Sequence, residues 1–106
     1  MQSGIVYYQR VGTSLVGKWS HEKINGVLAD EVIQNVPAGS VEGSWPVEIS
    51  IPGDGSIFRG QITISKFGES LRFEWNGTDL TKNTSARYIG IGIALSDLIF
   101  ASFESA

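Results

Sequence analysis

His21 and Glu22 stand side by side, the one place in this chain where an imidazole could exchange a proton with a neighbouring carboxylate. They sit in "SHEKING", a turn-rich setting in which the histidine is expected to be a solvated surface residue. Asp30-Glu31 is a second pair of acids. Adjacent strand residues point to opposite faces, so these two act together only if a bulge turns both inward. His21 with Arg72 and Glu74 would give a small-barrel isomerase-type enzyme, but Arg72 and Glu74 share a polar face with Ser70 and Asn76, as in a solvated sheet. No Gly-x-Ser-x-Gly nucleophile turn occurs, and "GDGS" and "GIGIA" lack the lysine and the helix of a phosphate cradle. Without cysteine there is no thiolate chemistry, and a single histidine nearly excludes a structural zinc site. No catalytic residue, metal or cofactor is assigned.

Aromatic residues are the richer set: three tryptophans, three tyrosines and five phenylalanines. Trp19, Phe58, Phe73, Trp75 and Tyr88 are the candidate walls of a ligand pocket, since pockets favour aromatic linings with a few polar groups. The competing reading is a filled core, in which each ring buries about 150–250 Å².

These side chains need a scaffold, and 106 residues supply one domain, residues 1–106, with a core of its own. The net charge of -3 and pI near 5.0 leave no electrostatic footprint for nucleic acid or an anionic membrane. No run approaches the roughly 20 apolar residues of a membrane helix. "MQSGIVYYQR" lacks the basic and apolar regions of a signal peptide, so a cytoplasmic setting is expected. The sequons at Asn76 and Asn83 then count as chance matches.

Short alternating runs separated by turn residues fill the chain. Trp45, Val47, Ile49 and Ile51 share a face against Glu48 and Ser50, with Pro46 marking a strand start or an edge. "PGDGS" (Pro52–Ser56) turns the chain. Phe58, Gly60, Ile62 and Ile64 form the next apolar face, and Leu71, Phe73 and Trp75 follow after "KFGES". "NGTDLTKNTSA" (76–86) reads as a long polar loop, and Tyr88–Leu95 and Leu98–Phe103 as a hairpin through Ser96-Asp97. Upstream, Ile5–Val11 and Ser14–Ser20 form a hairpin through Gly12-Thr13. Val27–Val36 is a strand interrupted at Asp30-Glu31, with a short helix as the rival.

About eight strands at a spacing of roughly a dozen residues predict an all-β fold, either an antiparallel up-and-down meander barrel or a β-sandwich. The barrel is preferred, because residues 76–86 are the only stretch long enough for a Greek-key crossing. Thirteen glycines in 106 residues also suit the kinks that close a small sheet.

Gly17-Lys18-Trp19, at the front of a barrel strand in "SLVGKWSHE", resembles the opening motif of the calycin superfamily of lipocalins, fatty-acid-binding proteins and avidins. The resemblance implies that Gly17 lets the strand bend and that Trp19 plugs one end of a meander barrel, near Phe100–Phe103. Unlike lipocalins, the chain has no arginine after its last strand, and in size it is nearer to avidin. A second Gly-x-Trp, Gly43-Ser44-Trp45, repeats the pattern.

Gly90 and Gly92 alternate with Ile89, Ile91 and Ile93 in one strand. If the isoleucines, the larger apolar set, face inward, then Tyr88, Gly90, Gly92 and Ala94 make a flat outer stripe suited to contact with another subunit or another part of the chain. If the glycines face inward, they make room for Trp75 or Trp19. The first arrangement is expected. Two functions follow: binding of a small apolar or aromatic molecule without chemistry, or self-association into a homo-oligomer through sheet faces or an unguarded C-terminal strand edge.

Overall fold

Period-two alternation of apolar residues dominates the chain, and each such run becomes a strand with its apolar set turned inward. A computed structural model describes residues 3–37, 39–53 and 55–106, with the backbone alone at Lys23. The strands are β1 (Ser3–Val11), β2 (Ser14–His21), β3 (Ala29–Ile33) and β4 (Gly43–Ile51), then β5 (Ser56–Phe67), β6 (Ser70–Asp79), β7 (Thr84–Leu95) and β8 (Leu98–Ser105). Each pairs antiparallel with the next, and β8 returns to β1 to close the barrel. The closing register runs from Ser3 opposite Glu104 to Gln9 opposite Leu98, which sets the sandwich aside. It also leaves β8 no free edge, against the expected unguarded C-terminal strand: both its sides are paired.

Other expectations shift in detail. The polar stretch 76–86 is mostly strand, and only residues 80–83 connect β6 to β7. Asp79 tightens that turn, its Oδ1 accepting the backbone N–H groups of Thr81 at 3.0 Å and Lys82 at 3.1 Å. The run expected over Val27–Val36 contracts to Ala29–Ile33, without a helix. Its register with β2 is continuous, so the interruption at Asp30-Glu31 marks no bulge. It marks an acid at an inward position. Pro46 lies just beyond the last β3–β4 pair, Ile33 with Val47, so β4 has a free side there. Met1 and Gln2 of the N-terminal stretch, and Asp54 of the Pro52–Ser56 turn, lie outside the described residues.

The faces of β7 are the reverse of the expected ones. Ile91 and Ile93 are 46% and 47% exposed. A Cβ built on Gly90 would stand 2.2 Å from the Ser102 carbonyl oxygen and 3.2 Å from Cζ3 of Trp75. Gly90 is paired between Phe73 on β6 and Phe103 on β8, both inward, and no side chain fits between them. Space taken by neighbouring aromatics, rather than the apolar character of the isoleucines, decides this strand.

The two ends of the barrel differ. At the end that carries the Gly12-Thr13 turn, Leu15, Ile33, Ile62, Ile64 and Phe73 are fully buried and fill the interior. Val36 joins them, its N–H donating to the Thr13 carbonyl at 2.9 Å. Arg10 secures the same segment, Nη1 donating to the Val36 carbonyl at 3.0 Å and Nη2 to that of Pro37 at 3.1 Å. The other end, where the one-turn 3₁₀ helix Glu22–Ile24 follows β2, is hollow.

Candidate functional site

The hollow is a cavity of about 300 Å³. Inward positions of β2, β5, β6, β7 and β8 give it aromatic walls: Trp19, Phe58, Trp75, Tyr88 and Phe103. Ile49 and Ile51 of β4, with Ile24 of the 3₁₀ turn, add an aliphatic side. Among the described residues its polar groups are few: Glu31, His21 and Ser105.

Phe103 organises the walls. Its ring centroid lies 6.3 Å from that of Trp19, 5.7 Å from Trp75 and 6.0 Å from Tyr88. The His21 imidazole stacks on it at 5.9 Å. Contacts in this range favour tilted and edge-on rings, as seen for Trp19 and Tyr88. Trp19 is further held by Nε1, which donates to the Asp30 carbonyl at 3.2 Å.

At the inner limit of the cavity lies Glu31, only 3% exposed. Trp75 Nε1 donates to its Oε2 at 3.0 Å, and the Tyr8 hydroxyl donates to the same oxygen. The ion pairs among the described residues join Lys18 to Asp30, Arg59 to Glu48 and Arg87 to Glu74, all on the outer surface, and none reaches Glu31. Burial pushes the Glu31 carboxyl up to about 7, although both donors pull it down. Tyr8 is raised well above the ordinary phenol range, first by burial and then by the charge of Glu31. Tyr88 is raised by burial and by Asp79. Gly17 makes this floor possible: a Cβ there would stand 2.7 Å from Cδ1 of Tyr8.

Of the five aromatics expected to bind a ligand, the fold brings Trp19, Phe58, Trp75 and Tyr88 together around the cavity. Phe73 lies deeper, stacked on Trp75 with centroids 5.8 Å apart, and forms part of the filled core. Trp19 is 8% exposed and packs near Phe103, as expected, but it walls the hollow end while Val36 and Leu15 fill the opposite one. Trp45, of the second Gly-x-Trp, is at that opposite end, with Nε1 donating to the Val41 carbonyl at 2.9 Å. His21 is buried, contrary to the solvated residue expected, because Leu15, Gly17, Trp19 and His21 continue one inward face. His21, Arg72 and Glu74 do not form a constellation: Arg72 lies over the Phe67 ring and Glu74 pairs with Arg87, both on the outside. Sequence reasoning missed Glu31, His21 and Phe103 as cavity residues. Strict alternation from Trp19 and from Ala101 contained the signal for the last two.

No protein-family model, curated protein or solved structure matches this chain. What the fold and cavity define is therefore a class: a closed eight-stranded antiparallel meander barrel, filled at one end and hollow at the other.

Proposed function

We propose that this barrel is a calycin-like binding module that takes a small, largely apolar or aromatic molecule into its hollow end and performs no chemistry on it. The observation that carries this reading is the aromatic-walled cavity of about 300 Å³. That volume is at the lower end of small-molecule sites, and its few polar groups suit orientation rather than reaction. Trp19 and Trp75 report on the cavity, while Trp45 lies at the other end and serves as an internal reference. Titration with a panel of hydrophobic probes should quench or shift the tryptophan emission, and should do so equally in Trp45→Phe. No change with any probe overturns the proposal.

A second reading, self-association, is favoured by the outer face. Ile91 and Ile93 of β7, Phe100 of β8 and Ile5 and Tyr7 of β1 are all exposed on adjoining strands. Tyr7 and Phe100 already touch, with ring centroids 6.4 Å apart. Such a patch suits a second copy of the chain. Sedimentation over a range of concentrations decides this, and a monomer at high micromolar concentration removes it.

A further inference from the structure

We infer that the molecule held in the hollow end is an organic amine, an ammonium head on a small aromatic or apolar body, with the head seated against Glu31. This inference rests on the cavity being a ligand site. Three observations lead to it. Both internal donors, Tyr8 Oη and Trp75 Nε1, converge on Oε2 of Glu31, so Oε1 is the oxygen with capacity to spare. Trp75 Nε1–H donates only, so Oε2 is built as an acceptor, and neither donor brings a positive charge. No lysine or arginine among the described residues pairs with Glu31, although its carboxyl lines the cavity. A buried carboxylate without a cation is costly to the fold, and a well-placed cation supplied from outside offsets that cost.

The walls fit the same partner. Indole and phenyl faces attract an ammonium within about 6 Å of the ring centre, most strongly where water is excluded. Trp19, Trp75 and Phe103 surround the space in front of Glu31. A primary amine keeps its proton well above pH 8, so the ligand is a cation across the useful range. The carboxyl must lose its own proton to pair with it. Besides Glu31, the titratable groups of this region among the described residues are Tyr8, His21 and Tyr88, with the charges of Asp79 and Lys82 acting on Tyr88.

The test uses three molecules of one shape: 2-phenylethylamine, 2-phenylethanol and 3-phenylpropionate, titrated calorimetrically into the intact chain. At pH 8 the amine should bind at least about tenfold more tightly than the alcohol, and the propionate most weakly. Because Glu31 changes charge near 7, amine affinity should fall about tenfold between pH 8 and pH 6 while the alcohol's stays level. Glu31→Gln, which keeps an acceptor for both donors, should abolish the amine preference and its pH dependence. Glu48→Gln, which removes an acid from the outer surface, should retain both. The inference is overturned if the alcohol or the propionate binds as well as the amine, or if Glu31→Gln keeps the preference. If that variant does not fold, a pH-independent amine affinity in the parent chain overturns it instead. Binding of hydrophobic probes but of none of the three test molecules overturns the amine alone. Silence from every compound overturns the binding site as well.

Discussion

Trp75 Nε1 stands 3.0 Å from Glu31 Oε2, a hydrogen bond that joins β6 to β3 across the inside of the barrel. With the Tyr8 hydroxyl on the same oxygen, it holds an acid where the packing otherwise demands an apolar side chain.

Stability should therefore fall as pH rises through neutrality. The Glu31 carboxyl titrates near 7 when folded and near 4.5 when not, so the folded chain holds the extra proton between those values. The contribution is fully present below pH 4.5 and is lost as pH rises through about 7. Denaturant titrations at pH 5 and pH 8 should differ by roughly 2–3 kcal/mol from this group. Glu31→Gln should erase most of that difference.

Tyr8→Phe removes one of the two donors that hold the carboxyl down. The pH at which stability is lost should move upward, since a carboxylate with fewer hydrogen bonds is harder to ionise. Following the midpoint of the stability–pH curve tests this. An unchanged or lower midpoint contradicts the role given to Tyr8.

Trp19→Ala should cost roughly 3–5 kcal/mol, the range for large aromatic truncations in cores. The indole is buried, touches Phe103 across the β2–β1–β8 seam and spends its N–H on Asp30. A loss below about 1 kcal/mol in denaturant unfolding would place Trp19 outside the packed interior.

Gly90→Ala and Ile91→Ala test which face of β7 looks inward. The added methyl at 90 meets the backbone oxygen of Ser102 and the edge of Trp75, so it should cost roughly 1–3 kcal/mol, as overpacking does. The truncation at 91 takes a half-exposed side chain off the outer face and should cost less than about 1 kcal/mol. The opposite ranking restores the inward isoleucines.

Much of this barrel is legible in the chain. Val47, Ile49 and Ile51, then Phe58, Ile62 and Ile64, alternate so regularly that β4 to β6 and their inward faces follow from period two alone. The two-residue turns at Gly12-Thr13 and Ser96-Asp97 fix two further hairpins. What was not legible depends on side chains distant in sequence. The face of β7 is set by Phe73, Trp75 and Phe103, which claim the space in front of Gly90. Glu31 breaks an apolar pattern because its partners, Tyr8 and Trp75, lie 23 and 44 positions away. Neither partner is visible from the local sequence around it.

Closure of the ring also dictates an order of events during folding. Seven of the eight pairings join strands that are neighbours in the chain, so each forms over a short loop. The eighth brings Ser3–Gln9 against Leu98–Glu104. By the logarithmic growth of loop entropy, that one contact costs about 2 kcal/mol more to bring together than a ten-residue loop. The β4–β7 meander is then the natural nucleus, and the β1–β8 seam zips last. Substitutions along the seam, such as Ala101→Gly, should speed unfolding while barely slowing refolding, and those in the meander should do the reverse.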